Sequence, residues 1–204
     1  MFAVSAATPA KISRCHALTG LWALVQISSF RYQWNVDAAQ IQIRRLTPAD
    51  AALYRDIRLE ALRCNPEAFG STFEAENARP LTFFSERLGS SASFGVFHDS
   101  ELVGIAGLLI QEGRKEAHKG LLVGMYVRPN ARKAGVGRRL VETIIEYARE
   151  RVELIQLAVV SENEPARRLY ERLGFVEYGL EKKALKQNGR YYDEVLMAKD
   201  LTAD

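Results

Sequence analysis

The stretch from His118 to Val160 constrains the fold more than any other part of the chain. It opens on an apolar, strand-like run, His118 to Val127, and passes through "RPNARKAGVGRRL" (128–140), where Gly135 and Gly137 stand among basic side chains. Leu140, Val141, Ile144, Ile145 and Ala148 then recur at helical spacing up to Glu150. "ELIQLAVV" (153–160) follows as a nearly unbroken apolar run, the pattern of a strand covered on both faces. A strand, a helix and another such strand make a crossover unit, which requires a parallel pair.

The flanking segments predict antiparallel structure around that unit. "IQIRRL", from Ile41, alternates like a strand, and Thr47-Pro48 is a cap followed by a proline suited to a first helical turn. That helix is expected to carry Leu53, Ile57 and Leu62 toward a core and to end near Asn65-Pro66, because the residue before proline avoids helical angles. "PEAFGSTFEAE" (66–76) reads as a loop with aromatic anchors, and "PLTFFSERL" (80–88) as a second short helix. "SFGVFH" (93–98) and "ELVGIAGLLI" (101–110) flank a polar turn at Asp99-Ser100, and "EGRK" leads to the third strand, His118 to Val127. Links this short make antiparallel neighbours. A helix is expected over Glu164–Arg172, with Ala166, Leu169, Tyr170 and Leu173 inward and Gly174 at its end. The chain closes in a hairpin turning at Asn188-Gly189. The expected fold is a single mixed α/β domain, with a mostly antiparallel sheet of about seven strands and about four helices.

Composition limits the classes of function. With 204 residues, 48% of them hydrophobic and 26% charged, the chain can bury a full core and is not a disordered polymer. A net charge of +3 permits an anionic ligand, but acids interleave with the bases and no nucleic-acid reader motif is present. Cys15 and Cys64 are the only cysteines and form no ligand cluster, which points to a reducing, cytoplasmic setting without a structural metal. The first forty residues differ from the rest: no Asp or Glu precedes Asp37, and Lys11 and Arg14 stand before the patchy run "ALTGLWALVQISSF". A weak secretory leader with "VDA" (36–38) as a poor cleavage site is one reading. Gln26, Ser28 and Ser29 interrupt the run, which is too short to span a bilayer, so a poorly ordered extension or a start placed too far upstream is favoured. The folded domain is expected over 41–204.

A helix N-terminus preceded by glycines is a ready anion site, because its unpaired amides point outward and the backbone can approach the anion closely. Arg132, Lys133, Arg138 and Arg139 add positive charge around it. A tight strand-to-helix turn with a solvated basic rim accounts for the spacing equally well. Two familiar phosphate loops are excluded: no G-x-x-x-x-G-K-[ST] is present, and Leu140 occupies the third small position of a dinucleotide fingerprint.

"RKAGVG" (132–137) resembles the R/Q-x-x-G-x-G/A acyl-CoA loop of the GNAT-type N-acetyltransferase superfamily. "MYVRP" resembles the strand that precedes this loop, and "NEPARRLYERLGF" (163–175) the family's N-x-x-A-x-x-x-Y-x-x-x-G-F segment. The likeness extends over roughly residues 41–200, and the first forty residues have no counterpart in it.

The resemblance implies a GNAT-like acyl-CoA N-acyltransferase fold and a reaction. Arg132, Lys133, Gly135, Val136, Gly137 and Arg138 would cradle the pyrophosphate of acetyl-CoA, and Asn163 matches a position that contacts it. Met125 and Val127 lie on the strand whose backbone would pair with the pantetheine arm, in a slot made where it splays from the next parallel strand. An amide near Met125 would face the acetyl carbonyl and stabilise its oxyanion. Tyr170 matches the general acid, and a phenol with a pKa of about 10 stays protonated at neutral pH and can donate to a leaving thiolate. Apart from the motif, Tyr170 also reads as an amphipathic core aromatic.

A base or water chain must help deprotonate the acceptor; Glu74, Glu76 and His118 are candidates among which the sequence does not choose, and the family has no fixed base to carry over. The first helix and the 66–76 loop are expected to form part of the acceptor site. Phe69, Phe73, Glu74 and Glu76 would give it an aromatic, acidic lining, with Phe69 better read as a loop anchor. The implied activity is acetyl transfer from acetyl-CoA to a primary amine by direct attack, without a metal. The acceptor is left open between a small molecule and a peptide or protein amine. The competing class is a non-catalytic acyl-CoA sensor. The exposed edge of the last hairpin leaves room for a homodimer.

Overall fold

The computed structural model describes residues 41–132 and 134–203. The expected extension over 1–40 lies outside the described residues, as does Lys133. Seven strands form one sheet: β1 (Ile41–Arg45), β2 (Ala92–His98), β3 (Glu101–Ile110), β4 (Lys119–Val127), β5 (Leu154–Val160), β6 (Val176–Gln187) and β7 (Arg190–Asp200). Their order is β1-β2-β3-β4-β5-β7-β6, and every neighbouring pair is antiparallel except β4–β5. The parallel pair is the one that the crossover unit requires.

Five helices accompany the sheet: α1 (Ala51–Cys64), α2 (Phe73–Asn77), α3 (Leu81–Ser90), α4 (Val136–Arg149) and α5 (Glu164–Arg172). Four match the expected ones; α2 is an additional short helix that begins within the 66–76 loop and ends at Asn77. It forms because the Thr72 hydroxyl accepts a hydrogen bond from the Ala75 N–H at 3.2 Å, a local cap that leaves no apolar period in the sequence. The turn at Asp99-Ser100 carries φ of 48° and 72°, and that at Asn188-Gly189 carries 49° and 81°, both matching the twist of two-residue hairpins.

The core lies on both faces of the sheet. The five periodic residues of α4 pack with Phe94, Val96, Leu108, Ile155 and Met197 on one face. On the other, Tyr54, Ile57 and Ala61 of α1 pack with Phe84 and Leu88 of α3 against Phe97, Ile105 and Tyr126. Leu53 departs from the expectation: it is 44% exposed, whereas Ile57 and Leu62 are buried. The inward stripe of α1 is centred on Tyr54, Ile57 and Ala61, and a neighbour turned about 100° from Tyr54 falls on the outer flank.

β6 is the sheet edge at which the sequence leaves room for a second copy, and it exposes Val176, Tyr178 and Leu180. Among the described residues, no helix is long and apolar enough to cross a membrane.

Candidate active site

β4 and β5 pair over three positions only, Lys119–Leu154, Gly120–Ile155 and Leu121–Gln156. Beyond them β4 continues against β3 as far as Val127, and β5 continues against β7 as far as Val160, so the two strands part while each keeps its outer partner. A cleft of about 450 Å³ occupies the divergence, lined by β4 from Leu121 to Met125 and by Ala158, Val159 and Val160 of β5.

β4 is also bulged here. Val123 stands opposite Gly107 and Tyr126 opposite Ile105, so Gly124 and Met125 together face the single residue Ala106. Gly124 takes φ of 65°, which permits the kink. The resulting bend turns backbone amides at Gly124–Met125 out of the β3 ladder beside the cleft.

The glycine loop meets this region from the side. Gly135 adopts the left-handed conformation (φ 74°, ψ 4°) and precedes α4, which has no side-chain cap. The first helical bond runs from the Arg139 N–H to the Gly135 carbonyl, so the amides of Val136, Gly137 and Arg138 precede the ladder. A Cβ placed on Gly135 would meet nothing within 4 Å, and one on Gly137 would stand 3.1 Å from Cε of Met125. The loop is therefore open outward at Gly135 and tightly packed against the cleft wall at Gly137. Arg132 donates through Nε to the Val127 carbonyl at 2.9 Å, and Arg138 through Nε to Glu142 at 2.8 Å. Val127 thus closes the strand end and does not line the cleft.

α5 supplies Tyr170 and Asn163. Asn163 caps the helix, its Oδ1 accepting from the Ala166 N–H at 3.3 Å, and it also lines the cleft. Tyr170 is 6% exposed, meets Phe175 edge-on at 5.7 Å between ring centroids, and lines the same cleft. Burial pushes its phenol well above the ordinary tyrosine pKa, so it stays protonated across the working range.

The opposite wall differs from the acidic lining expected. Glu76 is 3% exposed, and Arg58 donates to it through Nε at 3.0 and 3.3 Å and through Nη2 at 2.7 Å. Burial opposes its charge, but the hydrogen bonds from Arg58, aided by Ser71 and the nearby Arg87, hold its pKa below the usual carboxylate value. It is thus a structural counter-ion for Arg58. Arg58 itself lines the cleft together with Arg87 and Phe69, and the Arg58 guanidinium lies 4.9 Å from the Phe69 ring centroid, the anchor role expected of Phe69.

Three other candidates lie elsewhere. Phe73 and Glu74 line a separate cavity of about 160 Å³ with Arg63 and Gln187, and Arg63 stacks on Phe73 at 4.3 Å. His118 is exposed in the turn before β4, where its carbonyl accepts from the N–H groups of Glu153 and Leu154. Seven positions of extended chain, about 23 Å, separate it from Met125.

Glu194 on β7 was not singled out by the sequence, yet it lines the cleft opposite Val160. Burial and the negative charge of Glu181, its cross-strand neighbour, raise its pKa. In "YYDEVLM" it shares its strand face with Tyr192 and Leu196, while the buried Val195 and Met197 lie on the other, so no clean polar–apolar alternation marks it. Among the described residues no cluster of three His, Cys, Asp or Glu side chains could hold a metal ion.

The profile of the acetyltransferase (GNAT) family matches residues 54–175. The L-amino acid N-acetyltransferase AaaT of Escherichia coli is 31% identical over 103 residues, which span 50% of this chain and 63% of that protein, less than two thirds of its length. The N-alpha-acetyltransferase RimI of Mycobacterium tuberculosis is 29% identical over 134 residues, 65% of this chain and 82% of that one. Among solved structures, an acetyltransferase of the GNAT family from Streptococcus pneumoniae superposes with a TM-score of 0.71 at 21% identity, over 78% of this chain and 98% of that one. A Salmonella typhimurium protein solved with its cofactor acetyl-CoA superposes with a TM-score of 0.66 at 21% identity, over 79% of this chain and 94% of that one. The profile match takes in more than half of the sequence, and with the parted β4–β5 pair, the glycine loop at α4 and Tyr170 on α5, it places this chain in the acetyltransferase (GNAT) family.

Proposed function

We propose that this protein transfers the acetyl group of acetyl-CoA to a primary amine, using a transferase domain that begins at β1. The observation that carries the reading is the convergence of Tyr170 with the parted β4–β5 strands, beside an α4 N-terminus whose Gly137 packs on Met125 of the cleft wall. The residues fit such a donor. The Gly135 loop is open outward and presents the amides of Val136, Gly137 and Arg138 to a pyrophosphate, with Arg132, Lys133 and Arg138 adding positive charge. Met125 and the strand before it offer backbone to an extended arm, and Asn163 borders the same space.

Three tasks fall to the chain's own groups. The amides near the Gly124–Met125 bulge stabilise the oxygen that becomes negative as the amine nitrogen bonds to the acetyl carbon. Tyr170 gives its proton to the sulfur as the carbon–sulfur bond breaks, so the thiol leaves neutral. The amine must lose a proton, which for a lysine-like amine at pH 7 costs roughly 4–5 kcal/mol. Glu194 receives it, directly or through water. Its raised pKa brings a carboxylate closer to the value at which it accepts protons effectively near neutrality.

Replacing Tyr170 by Phe keeps the shape and removes the proton. Thiol release is expected to fall by about 100- to 10,000-fold in kcat, with the KM for acetyl-CoA little changed. Near-unchanged turnover would remove the acid role from Tyr170. Tight binding of acetyl-CoA without turnover on any amine would replace the enzyme reading with that of a sensor.

A further inference from the structure

The charges around the cleft are unevenly placed. On the α1–α3 wall two guanidinium groups, Arg58 and Arg87, share one carboxylate, Glu76. Arg58 takes almost all of that carboxylate's capacity, through contacts of 2.7 to 3.3 Å, and its side chain is 8% exposed. The Arg87 guanidinium reaches Glu76 only at 3.5 Å, beyond good hydrogen-bond length, and also stands 5.2 Å from the Phe83 ring centroid. Its side chain is 37% exposed and lines the cleft, so this wall carries one positive charge more than it carries negative. Glu194, the cleft's other charged lining residue, belongs to β7 at the far side of the β4–β5 gap.

A guanidinium fork that faces a partly dry cleft without a bidentate partner is built to receive one, and a carboxylate matches its geometry best. From this we infer that the acceptor is an amine that also carries a carboxylate, with Arg87 holding the carboxylate and Arg58, fixed by Glu76, supplying the positive field behind it. The inference rests on the transferase reading and narrows its acceptor to free amino acids and their analogues. An amine without a carboxylate would leave the wall's one surplus positive charge unmatched, and a cationic amine would meet a wall of its own sign. The uptake of the carboxylate also sets orientation, since the amine is left to face the side that holds Glu194 and Tyr170.

The test uses matched sets of acceptors: a free amino acid, its carboxamide and its decarboxylated amine, across aliphatic, aromatic, polar and charged side chains. Thiol release is measured with the full-length wild type, Arg87→Ala and Arg87→Lys. Calorimetric binding of each acceptor is measured in parallel, in the presence of coenzyme A. The expected result is a preference of at least about tenfold in kcat/KM for the free acid over both partners of its set. Arg87→Ala should erase it, through a rise of roughly 10- to 100-fold in the KM for the acid and little change for the carboxamide. Arg87→Lys should recover part of the preference, because it keeps the charge and loses the fork.

Carboxamides or plain amines used as well as the acids would overturn the inference and leave the transferase reading standing. Free acids that bind in an Arg87-dependent way without thiol release would do the reverse. A preference for acids that Arg87→Ala leaves intact would overturn the assignment to Arg87, and no binding or turnover of any acid would overturn the inference outright.

Discussion

Arg58 and Glu76, eighteen positions apart in the chain, form a buried ion pair in which both carboxylate oxygens accept from one guanidinium at 2.7 to 3.3 Å. The pair ties α1 to α2 beside the cleft that Arg58 lines. Removing one partner strands the other in a dry site, so Glu76→Ala and Arg58→Ala should each cost about 3–5 kcal/mol of stability. The joint change Arg58→Met with Glu76→Leu should recover most of that loss. Urea denaturation of the variants measures it, and a double variant as unstable as the sum of the singles would show that the pair is not a unit.

The glycines of the loop do different work, and alanine should separate them. Gly135 holds φ of 74° with open space around it, so Gly135→Ala meets no clash but strains the backbone by about 1–2 kcal/mol. The KM for acetyl-CoA should rise as the α4 amides shift. Gly137 has ordinary dihedrals, and an alanine there presses only on the flexible end of Met125 at 3.1 Å. Stability should change by less than about 1 kcal/mol, and the effect should fall on kcat through Met125. Equal effects of the two substitutions on KM and kcat would contradict this division.

Glu194 should govern the acidic side of the rate profile. Its carboxyl is held above the ordinary glutamate value of about 4.3 by burial and by Glu181, so the acidic limb of kcat/KM should lie above that value. Glu194→Gln should lower the plateau and abolish the limb. The linkage runs the other way for stability. A folded-state pKa that is raised favours the protonated form, and that advantage is lost as pH rises through it. The glutamine variant should therefore be at least as stable as the wild type at pH 7. A variant both less stable and unaltered in its pH profile would assign Glu194 a structural role instead.

Asp50 should contribute to acid sensitivity with the opposite sign. Arg44 donates to both of its oxygens at 2.7 and 2.9 Å, which outweighs the cost of burial, and the Thr47 N–H adds a bond at 2.8 Å. These hold its pKa far below the unfolded value of about 3.9. The stabilisation is fully present above that value and is lost as pH falls below it toward the folded pKa. The gap in unfolding free energy between wild type and Asp50→Asn should be constant from pH 8 to pH 5 and narrow from about pH 4 downward. A gap that does not depend on pH would indicate that packing, not charge, is lost.

Most of the architecture is legible in local pattern, because it is set by neighbours in the chain. Asn188-Gly189 dictates its hairpin, Thr47-Pro48 opens the first helix region, and the five apolar positions from Leu140 to Ala148 all face the core. The site is legible where a backbone conformation needs a particular residue, as at Gly135. It is not legible where a side chain's role depends on what folds against it. Glu76 reads as a free acid until α1 brings Arg58 beside it, and Phe73 as a lining residue until Arg63 covers it. Glu194 is one of two adjacent acids, with Asp193, until β7 is laid against β5 and Glu194 meets Val160. His118 reads as the start of the strand that carries Met125, but it falls in the turn before β4, at the end away from the cleft.

The parting of β4 and β5 after three rungs gives the sheet a third border, in addition to β1 and β6, and this one is internal. Outer borders are guarded against stray strands by charge, twist or brevity. An internal border lies within the sheet, where a slender chain of amide groups can lie along it as a substitute strand. The amides of β4 beyond Leu121 that face this gap should accordingly exchange with solvent faster than those facing β3, and acyl-CoA should slow them selectively. For a donor bound as proposed, affinity and the cohesion of the two half-sheets are linked, so a substitution that loosens the join between β4 and β5 should weaken donor binding without touching a single residue that meets the donor.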